Sequence, residues 1–399
     1  MQVQLRLHTQ SGWIAVLHAR AGAHQLNTAA RTSFPVRVNC LSQGQVQGPT
    51  TPKSYLKAHP RFRFPSGSKP QEVGPFTSIV CARQRYPQYR STRNMSQTQR
   101  AFRFGVVAAQ ALSGTEYVAL AQRAEQIGYS TLLVPDTPGP TLAPFSALGV
   151  VAGATTRLRV GNWVLANDFR HPVQVAREAA TLAWLSGGRL DLGLGPGRED
   201  NDYASLGLAD AKRSGGVRLR KLGEALRIIR SLFSGQRVTF DGEYYHVAGA
   251  SLYPIPDTPP PILIAAADPR ALAQAARYAD IVALGTRSRD FLARQVEWLK
   301  QAAGDRFDTI ELACYTFVVP ENQPAAVAAV ASVVQRNFGF DLQQAVADKA
   351  PNILQGSPAA MIEQLEEHRE TFGLTYIVLG AHDLQTFAPA MERIAAAQN

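Results

Sequence analysis

Acidic residues are nearly missing from the first 94 residues of this 399-residue chain. That segment holds 13 lysine and arginine residues but a single acid, Glu72, whereas the whole chain has 41 basic and 31 acidic residues. The formal net charge of +10 is therefore a property of the segment, and the remaining chain is close to neutral. The charge does not make the whole protein a candidate for nucleic-acid binding.

Cysteine is scarce as well. Cys40, Cys81 and Cys314 are too few for a disulfide framework and lack the Cys-x-x-Cys spacing of a thiolate metal site. The uncharged run from Pro138 to Thr156 is broken by prolines and glycines, and its apolar part is shorter than the roughly 20 residues of a membrane span. These shortages favour a cytoplasmic protein without a transmembrane helix.

Several catalytic motifs are missing too. The sequence has no His-Glu-x-x-His, no Ser-His-Asp order, no Gly-Lys-Ser/Thr after a glycine run and no Gly-x-Gly-x-x-Gly. Zinc-enzyme, hydrolase, P-loop and dinucleotide-binding classes therefore lack their minimum residues, and no metal site is expected.

The first 94 residues are rich in Gln, Ser, Thr, Pro and Arg and show no sustained hydrophobic period. Such a segment buries too little apolar surface to offset its ordering entropy. The sequence predicts a disordered basic extension at 1–94, followed by a domain at 95–399. Three interpretations of the extension stay open: a stretch upstream of a natural start at Met95, a transit peptide, or a nucleic-acid-binding arm.

Eight short apolar runs alternate with helical patterns in the rest of the chain. The runs are nearly continuous in apolar residues, which is typical of parallel strands covered on both faces. They are Phe102–Ala108, Thr131–Pro135, Leu158–Leu165, Arg189–Leu194, Pro261–Ala266, Asp280–Leu284, Ile310–Val319 and Thr375–Leu379. Eight strand–helix units predict an α/β fold, a TIM (β/α)₈ barrel with insertions, and a doubly wound sheet is the alternative.

Local signals mark helix starts and two insertions. Ser113 with Glu116 predicts a capping box, and Asp268-Pro269 predicts a cap followed by proline at the first helical position. The polar stretch Glu199–Gly216 forms one insertion. The other, Val238–Val247, predicts a hairpin that turns at Asp241-Gly242 in type I′ geometry.

The carboxyl ends of barrel strands carry the chemistry of this fold. The second strand ends at Asp136-Thr137, which are candidates for catalysis, and a turn-capping role is the competing interpretation of Asp136. The third strand runs into Asn167, whose amide can hydrogen-bond the edge of a ring.

The fourth and fifth strands end in small residues. Gly195 and Gly197 would admit a planar ligand and Arg198 would pair with an anion, although a tight turn needs the same glycines. The Ala265–Ala267 run precedes a helix whose first N–H groups can bind phosphate unless Asp268 caps them.

The sequence resembles the bacterial luciferase-like monooxygenase family from roughly Phe102 to Ala396. The runs that carry the resemblance include Arg170-His171-Pro172, Leu185-Ser186-Gly187-Gly188-Arg189 and Phe240-Asp241-Gly242-Glu243-Tyr244-Tyr245. The resemblance implies a barrel that binds FMN or coenzyme F420, with NAD(P)H left open as electron donor, and a homodimer. It implies a cis peptide near Leu165–Asn167, and cofactor contacts at Ala166, Asn167, Gly195, Gly197, Arg198, Ala265, Ala266 and Ala267.

Two positions depart from the family's pattern. Many F420-dependent members have Asp-His after the second strand, but this chain has Asp136-Thr137, and a threonine hydroxyl is no base near neutral pH. Three alanines replace the usual Gly-Gly after the fifth strand. We expect a flavin- or F420-dependent oxidoreductase or monooxygenase acting on a small organic substrate; the alternative is a non-catalytic relative that binds cofactor or ligand.

Overall fold

A computed structural model describes residues 2–8, 14–20, 80–81, 97–110, 113–139, 141–197, 200–208, 214–285, 288–321, 323–338 and 341–397. The chain divides into two compact units, Met1–Tyr86 and Pro87–Asn399. The first unit contains an antiparallel sheet that the sequence did not predict, with strands in the order Gln2–His8, Ile14–Arg20 and Val80–Cys81. The rest of 1–94 lies outside the described residues, so its disorder stays a prediction.

Eight parallel strands close into a ring in the second unit. They are β1 (Arg103–Val107), β2 (Thr131–Val134), β3 (Arg159–Asn162), β4 (Leu190–Gly195), β5 (Ile262–Ala266), β6 (Ile281–Leu284), β7 (Glu311–Pro320) and β8 (Leu374–Gly380). Each strand pairs with the next in sequence, and β8 pairs with β1. The TIM barrel is confirmed. A doubly wound sheet would leave its two outer strands unpaired on one side, and this ring does not.

Helices surround the ring. They are α1 (Gly114–Ile127), α2 (Pro144–Ala154), α3 (Pro172–Leu185), α4 (Gly215–Phe233), α5 (Pro269–Tyr278), α6 (Arg289–Ala303), α7 (Pro358–Phe372) and α8 (Leu384–Ala397). Their buried faces pack on the outward residues of the strands, such as Leu132 and Val160. None of the helices in the described part of the chain has the length and hydrophobicity to cross a membrane.

Helix starts follow the local sequence. Ser113 accepts from the Glu116 N–H and Glu116 reaches back to the Ser113 N–H, which confirms the capping box. α1 is capped at its end by Gly128, whose φ of 106° suits glycine. Asp268 caps α5 ahead of Pro269, as predicted.

Three insertions interrupt the alternation. The first insertion contains a short helix, Asp200–Ser205, before α4. The second is the hairpin after α4, with strands Val238–Asp241 and His246–Ala250. The third insertion follows β7 and was not predicted: it contains helices Pro324–Phe338 and Leu342–Ala347 and the strand Ile353–Gly356, which pairs with the outer half of β7.

The hairpin turn differs from the type I′ prediction. The strands stop at Asp241 and resume at His246, and neither Asp241 nor Gly242 has a positive φ. The cause lies in α4, where the Glu224 carboxylate accepts hydrogen bonds from the backbone N–H groups of Glu243, Tyr244 and Tyr245. These hydrogen bonds stabilise a loop that is longer than the two-residue turn of the prediction.

The amino-terminal half of the barrel interior is an ion network. Asp191 of β4 accepts from Arg103 of β1 at 2.6 Å and from Arg159 of β3 at 2.5 Å. Arg103 also donates to Glu311 of β7 at 2.6 Å, and its guanidinium lies 4.0 Å from the centre of the Tyr376 ring. Above this network the interior turns apolar, with Leu133, Leu263, Ala313 and Val378 packed together.

Candidate active site at the barrel mouth

The carboxyl end of the barrel presents small residues toward its axis. Side chains alternate along a strand, and Leu263 and Val378 belong to the interior cluster. The next inward positions are Ala265 of β5, which packs against that cluster, and Gly380 of β8. A mouth bounded by such small residues suits a flat ligand.

Strand β3 leaves its partner at this mouth. It pairs with β4 at Val160 and Gly161, breaks away, and pairs again through the short strand Leu165–Ala166. The Trp163–Val164 peptide bond within the break is cis. The resemblance had implied a cis bond near Leu165–Asn167, and the structure places it just upstream.

The glycines of β4 accommodate this break. A Cβ on Gly193 would overlap the carbonyl oxygen of Asn162, and one on Gly195 would lie 2.8 Å from a Val164 methyl group. Gly197 has a φ of +78°, and a Cβ there would lie 2.5 Å from the Tyr203 hydroxyl. Packing alone therefore explains why residues 195 and 197 are glycines, and the contact of Gly195 and Gly197 with a cofactor stays a proposal. Arg198 and Glu199 lie outside the described residues.

Asp136 links the ends of β2 and β3. Its two carboxylate oxygens accept from Arg170 at 2.6 and 2.9 Å, and Oδ2 also accepts from the Ala166 N–H at 3.0 Å. The Asp136 side chain is 5% exposed. Both oxygens are occupied, which favours the capping interpretation over a catalytic base. Thr137 is half-buried, and its carbonyl accepts from Thr141.

The loop after β3 is fastened to the insertions. The buried Asn167 amide donates to the Tyr245 hydroxyl of the hairpin at 3.0 Å. Asp168 accepts from the Tyr203 hydroxyl of the short helix at 2.9 Å, and its other oxygen lies 2.8 Å from Nζ of Lys221 on α4. Asn167 therefore faces protein, and this loop forms a fixed wall of the mouth.

The start of α5 is already capped. Asp268 accepts from the N–H groups of Arg270 at 2.9 Å and Ala271 at 3.1 Å. Ala265 is half-buried, Ala266 buried and Ala267 exposed. The capping interpretation of Asp268 is confirmed, so a phosphate at Ala265–Ala267 would need other donors.

A histidine at the end of β8 escaped the sequence prediction. His382 and Asp383 follow Gly380, and Nε2 of His382 lies 3.3 Å from Oδ2 of Asp383. The His382 side chain is 41% exposed, whereas that of Asp383 is 5% exposed. The sequence did carry a signal for this pair, because both residues come shortly after the predicted eighth strand. They were missed because candidate residues were taken only from the ends of the second to fifth strands.

The sequence matches the family model for luciferase-like monooxygenases over residues 97–375. One curated relative is the F420-dependent hydroxymycolic acid dehydrogenase of Mycobacterium tuberculosis, 38% identical over 171 residues, covering 41% of this chain and 47% of that protein. Another is the F420-dependent glucose-6-phosphate dehydrogenase of Beutenbergia cavernae, 39% identical over 167 residues, covering 39% of this chain and 48% of that protein. The chain spans about half the length of these relatives.

Solved structures share the fold. An F420-dependent secondary alcohol dehydrogenase in complex with an F420–acetone adduct superposes with a TM-score of 0.64 at 20% identity. The match covers 75% of this chain and 100% of that one. At this identity the likeness establishes the barrel and its elements, and nothing about ligands.

Proposed function

Since the chain belongs to the luciferase-like monooxygenase family, we propose that it is an F420-dependent oxidoreductase acting on a small substrate with a hydroxyl or carbonyl group. The barrel mouth carries this proposal, because its inward positions Ala265 and Gly380 are small and β3 breaks away from β4 at the same end of the barrel. When bound, the cofactor supplies the redox step, as an acceptor or donor of hydride.

Support for F420 over FMN comes from the curated relatives. The dehydrogenases at 35–39% identity have F420 in their names. The two named above act, by their names, on a hydroxymycolic acid and on glucose 6-phosphate, so we propose a hydroxyl-bearing substrate. FMN with oxygenation remains the competing chemistry, and NAD(P)H as electron donor stays a prediction from the sequence.

The residues present fit a flat ring better than a phosphate at α5. We assign the ring to the space beside Ala166, Gly195 and Ala265, with Asn167, Gly197 and Ala266 behind it. Asp136 and Arg170 would hold the loop that carries Ala166. Arg198 and Ala267 are the remaining proposed contacts, both with the polar part of the cofactor.

Binding and turnover test this proposal separately. We expect the full chain to bind F420 more tightly than FMN in titrations followed by absorbance and fluorescence. A panel of alcohols and sugar phosphates should then reduce bound F420, seen as loss of the visible band of its oxidised form. Binding without reduction would favour the non-catalytic alternative, and tighter FMN binding would overturn the choice of cofactor.

Two further statements stay predictions. Fractionation tests the cytoplasmic location expected from the composition, and the mass of the protein in solution tests the homodimer implied by the family resemblance.

A further inference from the structure

The His382 imidazole borders the interior of the barrel mouth. Tyr376 and Val378 of β8 face the axis, so the next inward position is Gly380. A Cβ on Gly380 would fall on the His382 ring, 2.6 Å from Nδ1, and 2.9 Å from the Tyr315 hydroxyl. Nδ1 of His382 and the Tyr315 hydroxyl therefore both lie next to the inward side of Gly380.

Asp383 lies behind the imidazole. Its carboxylate accepts a hydrogen bond from the Val318 N–H of β7, which fixes it to the barrel wall. Oδ2, the oxygen nearest to Nε2 of His382, receives no hydrogen bond of good geometry from the described residues. Nε2 is the ring nitrogen nearer to Asp383, and Nδ1 is the ring nitrogen nearer to the inward position of Gly380 at the mouth.

The surroundings keep this pair close to neutral. Burial lowers the pKa of His382 and raises the pKa of Asp383 to about 7. Among the described residues, Tyr315 of β7 and Tyr129 before β2 interact with Asp383, and burial raises the pKa of both. An imidazole that is unprotonated at Nδ1 near pH 7 can accept a proton from a substrate.

We propose that His382 is the catalytic acid–base residue of the oxidoreductase reaction and that Asp383 is its positioning residue; this inference rests on the proposed function. In the oxidative direction the substrate O–H bond breaks and its proton passes to Nδ1 of His382. The hydrogen on the same carbon leaves with its electron pair to the oxidised cofactor, and the C–O bond becomes a carbonyl. In this proposal His382, just after β8, takes the proton that Thr137 after β2 cannot accept near neutral pH.

Kinetics of matched variants test the role. With the best substrate of the alcohol and sugar-phosphate panel, His382→Asn should lower kcat about 100-fold or more, while F420 affinity stays within about twofold. The control is His246→Asn, because His246 is an exposed histidine paired with Asp241 on the hairpin. It should leave kcat unchanged. Circular dichroism and thermal unfolding show whether each variant is folded.

Asp383→Asn separates positioning from simple structural support. It should lower kcat about 10-fold and shift the acidic limb of the kcat/KM profile to lower pH, because the carboxylate favours the protonated imidazole. A change in stability alone would not move that limb. An unshifted limb overturns the role of Asp383.

Imidazole ¹⁵N NMR of the protein without cofactor gives a readout independent of turnover. We expect His382 to carry its proton on Nε2 near pH 7, and Asp383→Asn to abolish this preference. A proton on Nδ1 overturns the inference. If the wild type does not reduce F420, the proposed function fails and the role of His382 with it; if His382→Asn reduces F420 as fast as the wild type, the role alone fails.

Discussion

At the scale of single residues, the barrel mouth is shaped by side chains that are absent. Gly193 lies where β3 leaves β4, and the Asn162 carbonyl takes the space that a Cβ would need. Asp136 belongs to the same region and ties the end of β2 to the loop after β3 through Arg170. Both residues thereby shape the wall that the break in β3 forms at the mouth.

Gly193→Ala and Gly149→Ala form a matched pair of predictions. The first substitution places a methyl group against the backbone carbonyl of Asn162, which should lower the free energy of unfolding by about 3 kcal/mol or more. The second lies in α2 with nothing within 4 Å of the added Cβ and should raise it by about 1 kcal/mol. Urea unfolding measures both. Equal effects of the two substitutions would show that the close approach at Gly193 is not rigid.

At the scale of secondary-structure elements, the hairpin after α4 depends on one distant carboxylate. Glu224 accepts from three consecutive N–H groups of the loop, and the same loop supplies Tyr245 to Asn167. The insertion and the loop after β3 are therefore coupled through hydrogen bonds that span three elements.

Glu224→Gln tests this coupling. The amide has one acceptor oxygen and no charge, so it cannot satisfy all three donors, and we expect a loss of about 2 kcal/mol in stability. Hydrogen exchange should speed up at the amides of Glu243, Tyr244 and Tyr245. Exchange in β1 should stay unchanged as an internal reference. Unaltered exchange in the loop would mean that its conformation is set by its own sequence.

Elements differed in how well the sequence predicted them. All eight barrel strands were predicted, because a strand buried on both faces must be apolar along its length. The hairpin turn was predicted wrongly, since Glu224 determines it from 19 residues away. His382 was missed and the roles of Gly195 and Gly197 were left open, because each depends on neighbours that only the folded chain brings together.

At the scale of the whole molecule, a buried ion network joins strands from opposite sides of the ring. Burial alone would raise the pKa of Asp191, but Arg159 and Arg103 hold it below the ordinary 3.8. A lowered carboxyl pKa stabilises the fold above the unfolded-state value, and this contribution is lost as the pH falls through the folded-state value.

Asp191→Asn should therefore destabilise the barrel by about 3–5 kcal/mol at pH 7, because Arg159 loses its charged partner and Arg103 loses one of two. The difference from the wild type should shrink as the pH falls below 3.8, the ordinary value for this carboxyl group. Urea unfolding across pH 3–7 measures it. The control Asp241→Asn lies on an exposed hairpin strand and should change stability by less than about 0.5 kcal/mol. A pH-independent difference would contradict the electrostatic account.

Closure of the ring has a consequence for self-association. Each of the eight barrel strands pairs with a neighbour on both sides, and the pairing of β4 with β5 completes the ring. No barrel strand exposes a row of unsatisfied amides that a second chain could extend, and aggregation by strand addition is blocked there. A dimer cannot form by extending this ring, which leaves the outer helices, the loops and the insertions as the places to introduce charge when monomers are wanted.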